Sequence, residues 1–361
     1  MKNISKSIFY IAAAFAIIGC AKAETEGANV AGKRYFDAWI RINYILKDYP
    51  DLKATWDGVE RTDSNGIYIL KNTDGTGAEI TDEGYAIVDY TTYNLSGNIT
   101  DYTGKSQAKQ LGQYDTSKYY GPKVWPTMDQ AIQAGLQNAL VGMKVGVSRK
   151  IIIPSWLMTY SSYSSVTEYL KHSSDYSNTI YEFTVTDFTE DIDKWQVGKI
   201  EDYITENYGN LNAFETLTDT TGFYFRKETV LPAAAEAFPD DTTIYINYTG
   251  KLLNGLVFDT TDEKTAKDNG IYNASRTYEP AKINWGSEFG DITMGTDASS
   301  IITGFAMTLW RLRYVPNDTE WKDRCTGIFY SSLGYGYSGS GSSIPGYAPL
   351  IFEIEVVDKP E

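Results

Sequence analysis

What most constrains this chain is that one pattern is written in it twice. Residues 62–97 read TDSNGIYILKNTDGTGAEITDEGYAIVDYTTYNLSG, and residues 218–255 read TDTTGFYFRKETVLPAAAEAFPDDTTIYINYTGKLLNG. Each opens on Thr-Asp-x-x-Gly, crosses a turn-rich link, and enters an alternating strand that reaches Tyr-Thr and closes on Leu-x-Gly. Alternation of apolar and polar residues gives a strand with one buried face. The unit recurs after about 150 residues, far beyond the roughly 20–50 of a solenoid, which predicts a duplicated domain. A chain of 361 residues has room for two such cores.

A helical stretch precedes each copy. KRYFDAWIRINYILKDY places Phe36, Trp39 or Ile40, Asn43 and Leu46 or Lys47 along one stripe. IDKWQVGKIEDYITENYG does the same with Ile192, Trp195, Lys199 and Tyr203, and Gly209 supplies a stop. Strand-like runs fill the rest: GIYILK, YAIVDYTTYNL, SRKIIIP and IYEFTVTDF, then GFYFRK, TIYINYTGKLL, GIFYSS and LIFEIEVVD. Each copy also carries one internal helical stretch, DQAIQAGLQNALVGM or SSIITGFAMTLWRL. Many strands around one short helix predict an α+β fold, an antiparallel sheet with the helix on its inner face. The expected boundaries are a first domain with its helix over 33–190, a helical connector over 191–212, and a second domain over 213–361.

The first residues read as a leader. Lys2 and Lys6 precede the apolar run IFYIAAAFAII, and Gly19-Cys20 follows at once. This resembles a bacterial lipoprotein signal, with 1–19 removed and Cys20 left as a lipidated first residue. An ordinary secretory signal or a core helix are the plainer readings. Residues 20–32 then form a flexible tether. The resemblance implies a lipid anchor at Cys20 in the membrane of a bacterial cell envelope, with ETEG pointing to the outer membrane, periplasmic or surface facing. No later stretch approaches 18 apolar residues.

The net charge of -15 argues against nucleic acid and anionic lipid as electrostatic partners. With Cys20 acylated, Cys325 stands alone as a buried or half-buried small residue, and no cysteine or histidine spacing suits a metal. The single histidine is His172. TGKS at Thr103–Ser106 lacks the first glycine of a phosphate loop, since Ile99 stands there. The acidic runs TEDID and TDEK lack calcium-loop spacing. No cofactor or metal is expected.

The second copy has a further signature. Tyr248-Thr249-Gly250 is followed by Gly255-Leu256-Val257-Phe258-Asp259. Ile301-Ile302-Thr303-Gly304-Phe305 then opens a helix, and Tyr335-Gly336, Ile344-Pro345 and the strand Leu350-Ile351-Phe352-Glu353-Ile354 follow. In this order these elements resemble the FKBP-type peptidyl-prolyl isomerases. The first copy resembles the same family in NALVGMKVGVSRKIIIPSWL and in Asp101. It has Thr100 in place of the phenylalanine, Leu136 in place of the helix aromatic, and Met158 or Thr159 in place of the pocket tyrosine.

The resemblance implies two FKBP-like domains, each an antiparallel curved sheet wrapped around a short helix, the first with a degenerate pocket. In the second, Tyr248, Phe258, Phe305 and Phe352 would wall a proline ring. Ile301 and Ile302 would edge the floor, with the Ile302 N–H bonding a substrate carbonyl. Tyr335 would donate its hydroxyl, and Asp259 would accept from a neighbouring tyrosine or face the twisted carbonyl carbon. Trp285, Phe289 and Ile292 all compete for the family's remaining aromatic position. The implied activity is isomerisation of X-Pro bonds in exported polypeptides. Amide rotation faces a barrier of about 18–20 kcal/mol, and an apolar, water-poor site favours the less polar twisted form without nucleophile or proton shuttle. A non-catalytic surface lipoprotein that holds polypeptide or glycan is the other reading. It gains from insertions near 104–126 and 262–290, which could cover the groove.

Overall fold

The computed structural model describes residues 28–40, 42, 67–160, 168, 171, 177–318 and 320–360. The leader, Cys20, His172 and residues 43–49 of the first helical stretch lie outside them.

Two antiparallel sheets follow one another along the chain. The first is built from β1 (Tyr68–Asn72), β2 (Tyr85–Tyr93), β3 (Ile99–Tyr102), β4 (Lys123–Pro126), β5 (Ser148–Ile153) and β6 (Thr179–Thr189). Its strand order is β1-β5-β6-β2-β3, with β4 also on β2. The second contains β7 (Glu215–Leu217), β8 (Thr220–Lys227), β9 (Thr243–Leu252), β10 (Val257–Thr260), β11 (Ala281–Asn284), β12 (Thr293–Met294), β13 (Ser299–Ser300), β14 (Arg324–Phe329) and β15 (Leu350–Val357). Its order is β13-β12-β11-β9-β15-β14-β8-β7, with β10 also on β9.

Period-two burial shapes each sheet. Along β9, Ile244, Ile246, Tyr248 and Leu252 point inward and are buried. They meet Phe305 and Leu309 of a short helix, Thr303–Leu309, in one apolar cluster. In the first half Val88, Tyr90, Ile151, Ile153, Phe183 and Val185 meet Leu136, Ala139 and Leu140 of the helix Ala134–Leu140. Both inner helices are shorter than their sequence stretches. Glycine sets how closely they lie: a Cβ on Gly135 would overlap Ile153, and one on Gly304 would overlap the Phe329 ring.

The outer faces are covered too. The helix Ala28–Ile40 buries Phe36 and Ile40 against Tyr68, Ile152 and Ile180. The sequence places residues 20–32 in a flexible tether, but 28–32 are already helical. Alanine, the best helix former, stands at 28 and 31 and extends the helix that docks Phe36, and fully burying a side chain such as Phe36 contributes about 1.5–3 kcal/mol. The helix Ile192–Tyr208 does the same for the second sheet, through Ile200 and Ile204 on Tyr224, Ile328 and Ile351. It starts where the Asp191 carboxylate accepts the Lys194 N–H at 3.0 Å. It stops at Gly209, whose φ of 87° is open to glycine at little cost. Gln196 Oε1 fixes it by accepting the buried Ser331 N–H at 2.7 Å.

The presumed insertions are one element present twice. Helices Lys105–Gln110 and Glu263–Asp268, and strands β4 and β11, sit at one constant offset from each other, as do β3 and β10. Tyr114 packs on Tyr120 at 5.5 Å, and Tyr272 on Tyr278 at 5.4 Å. The Asp115 N–H donates to the Tyr120 hydroxyl at 3.1 Å, and the Asn273 N–H to the Tyr278 hydroxyl at 2.9 Å.

Candidate active site

Three strands and one helix end converge on the inner face of the second sheet. β9 carries Tyr248, β10 carries Phe258 and Asp259, and β15 carries Phe352. Gly250 of β9 pairs with Asp259 on one side and with Phe352 on the other. A Cβ on Gly250 would stand 2.6 Å from the Phe258 ring and 3.0 Å from that of Phe352. The absent side chain is what lets both rings lie over the strand. Ile301 and Ile302 lead into the inner helix, where Phe305 projects into the same group.

The rings touch one another. Phe305 and Phe352 are 4.7 Å apart between centroids, Tyr248 and Phe305 5.4 Å, and Phe258 and Phe352 5.6 Å. Tyr248, Phe305 and Phe352 form the buried floor of an aromatic group, here called the dish, and the half-buried Phe258, Ile301 and Ile302 edge it. Tyr335 is 38% exposed. Burial, and then the Asp259 charge, raise its hydroxyl above the ordinary tyrosine range, so the two groups sit within electrostatic reach.

Asp259 is held from three sides. The Tyr248 hydroxyl donates to Oδ2 at 2.6 Å, the Thr260 N–H donates to Oδ1 at 2.9 Å, and the Arg276 guanidinium forms an ion pair with Oδ1. Of the two roles expected for this carboxylate, acceptance from a neighbouring tyrosine is the geometry present. Burial first, and the adjacent carboxylate second, raise the Tyr248 hydroxyl well above its ordinary value. Tyr248 therefore remains a hydrogen-bond donor across the physiological range.

Arg276 escaped the sequence reading. It lies 17 residues beyond Asp259 and stacks over Tyr278 at 5.3 Å. The signal that could have found it is the repeat Ala-Lys-x-x-Gly-x-Tyr-x-x-Ser-Lys/Arg-x-Tyr-x-Pro, present at both 108–122 and 266–280. Of the three competing residues, Trp285 and Ile292 belong to the buried core. Trp285 packs on Phe238 at 5.1 Å and Trp310 at 5.4 Å. Phe289 is 39% exposed. Cys325 is buried, and burial pushes its thiol far above the ordinary range, which makes it inert.

The matching place in the first half is filled. Tyr90 donates to Asp101 Oδ2 at 2.6 Å, as Tyr248 does to Asp259. Thr92 and Thr100 then stand where Gly250 and Phe258 do, and share a hydrogen bond of 2.8 Å. Trp125 packs on Tyr90 at 5.1 Å and on Tyr181 at 6.0 Å. Lys123 donates to the Tyr90 hydroxyl at 2.9 Å. Thr159, not Met158, matches Tyr335, because each lies four residues after the start of a single helical turn, Ser155–Leu157 or Ser331–Leu333. Thr159 is buried, and its carbonyl accepts the Ala134 N–H at 2.8 Å.

Among the described residues no helix is long and apolar enough to cross a membrane. No group of three or more potential metal ligands occurs among them.

No family description matches the chain, and no curated protein matches it. Solved structures do. The three FKBP domains of wheat FKBP73 match at 12% identity over 81% of this chain and 93% of that one, with a TM-score of 0.25. FkpA from Escherichia coli matches at 19% identity over 46% of this chain and 58% of that one, with a TM-score of 0.29. A peptidyl-prolyl cis-trans isomerase from Pseudomonas syringae matches at 18% identity over 46% of this chain and 93% of that one, again with a TM-score of 0.29. At such scores the likeness carries no argument, and the strands and side chains above stand on their own.

Proposed function

We propose that the second half is a peptidyl-prolyl cis-trans isomerase site of FKBP type. The supporting observation is the convergence of Tyr248, Phe258, Phe305 and Phe352 on one dish, with Asp259 pinned to Tyr248 at 2.6 Å. A proline ring seated there leaves water. Its amide twists against apolar walls, which favour the less polar transition state over the planar ground state. Tyr335 would donate to the substrate, and the Ile302 N–H would hold a flanking carbonyl. In the same reading residues 33–190 and 213–361 are two FKBP-like domains joined over 191–212. Lipidation at Cys20 would present them from a bacterial envelope membrane to exported, proline-containing polypeptides.

A second reading, polypeptide holding without turnover, is favoured by the paired insertions beside the dish. The deciding test is isomerisation of short Xaa-Pro peptides by the full chain carrying Cys20→Ser, beside Phe258→Ala and Asp259→Ala forms. Acceleration that disappears in these variants supports catalysis. A folded protein that accelerates no peptide, whatever residue precedes proline, is a binder.

A further inference from the structure

The first half's insertion does not stay on its own sheet. The Tyr119 N–H donates to the carbonyl of Ser342 at 2.9 Å. Ser342 belongs to the loop that runs from Tyr335 to Ile344, which is buried against the core. The Tyr119 side chain packs on the apolar core of the second half. Three residues earlier Thr116 meets Gly270, where an added Cβ would stand 3.2 Å from the Thr116 Cβ. Gly270 lies in the second insertion, the segment whose Arg276 holds Asp259. One short segment thus touches both walls that flank Asp259 and Tyr335. Beside it opens a cleft of about 450 Å³ lined from both halves, by Asp101, Tyr102, Lys118 and Tyr120 on one side and Gly341 and Pro345 on the other. Tyr85 adds an edge contact to Tyr347 at 5.5 Å.

We propose that residues 113–122 form a strap across the mouth of the second half's pocket that selects its substrates. An extended chain with a free end threads beneath the strap, whereas a proline in a closed or folded loop is refused. The inference rests on the polypeptide-pocket reading above. Opening the strap breaks the Tyr119–Ser342 bond and the Thr116–Gly270 contact and exposes the Tyr119 ring, so it has a cost. A ligand that needs it open binds more weakly in proportion to the open fraction, and one that threads does not.

The test locks the strap. Thr116→Cys with Gly270→Cys, in the full chain carrying Cys20→Ser, places two sulfurs within bonding reach after a small adjustment. The reduced form of the same protein is the control for the strain of cysteine at a left-handed position. The probes are a labelled linear decapeptide with a central Leu-Pro and its head-to-tail cyclic form. A second variant replaces residues 113–121 by Gly-Ser-Gly. Oxidation is expected to weaken cyclic-peptide binding at least tenfold, leave linear binding within about threefold, and reverse on reduction. The shortened strap is expected to bind both peptides alike. Equal cyclic binding in both redox states overturns the strap. So does failure of the pair to close under mild oxidant, and so does loss of both peptides on oxidation, which describes a plug without selection. Absence of binding to every form, the shortened strap included, leaves no pocket to guard and overturns it as well. Isomerisation is followed in parallel: redox-dependent selection without acceleration retains the strap and sinks the isomerase reading.

Discussion

The two halves share a scaffold and differ in what occupies its inner face. Tyr90–Asp101 and Tyr248–Asp259 are the same hydrogen bond at the same length, 2.6 Å. Each sits on the same pair of strands, and each tyrosine N–H donates to a threonine hydroxyl at 2.9 Å, Thr103 or Thr261. Around this constant core the changes are coupled. Where the second half has Gly250 beneath Phe258, the first has Thr92 bonded to Thr100. Where the second leaves the tyrosine ring to Phe305 and Phe352, the first sets Trp125 and Lys123 against it. The tyrosine–carboxylate pair thus belongs to the architecture, while the open ring faces of the second half depend on the missing Cβ at Gly250 and on Ala281 and Ile283 standing where Lys123 and Trp125 do.

The sharpest way to break this comparison is to give the second half the first half's walls. Phe258→Thr with Phe305→Leu is expected to slow peptide isomerisation about a hundredfold, about 2.7 kcal/mol of barrier at 1.36 kcal/mol per decade. Unchanged turnover in the folded double variant would overturn the proposed site at Phe258 and Phe305. A second test uses the glycines under the inner helices. Gly304→Ala forces a methyl into the Phe329 ring and Gly135→Ala forces one into Ile153, each expected to cost about 1–3 kcal/mol. Scanning calorimetry should show two transitions, each lowered by its own variant alone. One transition lowered by both would make the halves a single cooperative unit. A third test compares the tyrosines: Tyr90→Phe and Tyr248→Phe should each cost about 1 kcal/mol of stability by urea unfolding. Only Tyr248→Phe should lower activity, and equal activity loss from Tyr90→Phe would erase the functional distinction.

The smallest expected effect is with pH. Tyr90, Tyr181 and Tyr248 are all shifted upward by burial, Tyr181 to about 12. In that window the folded chain keeps protons that the unfolded chain releases near its ordinary pKa of 10.0. Stability is therefore full below pH 10 and falls as pH rises above it. Isomerisation should stay flat up to that point because the Tyr248 hydroxyl remains protonated. A decline centred well below it would contradict a donor tyrosine.

Much of the fold was legible because burial follows local alternation. Along β9 the inward residues are those the sequence marks as apolar, and Gly209 ends the helix that its position predicts. The dish residues Tyr248, Phe258, Phe305 and Phe352 were legible as an ordered set, and they meet. What escaped is what depends on distant pairing. Trp125 fills the first half's site because β4 lies on β2, opposite Ala86, a relation that no local pattern carries. Arg276 reaches Asp259 only because the second insertion folds back along β10. The six-residue helices Lys105–Gln110 and Glu263–Asp268 bury only Ala108 and Ala266, too little apolar surface to show a stripe.

The paired insertions also carry a chronology. Two separate acquisitions would scarcely arrive at one length, one tyrosine pair and one main-chain bond to a tyrosine hydroxyl in both copies. A single ancestor that already bore the insertion, later doubled, produces all of these at once. The copies now differ in their walls while the insertion is kept, and the first insertion, still bonded to its own half through Gln113 and Lys123, also reaches Ser342 and Gly270 of its sibling.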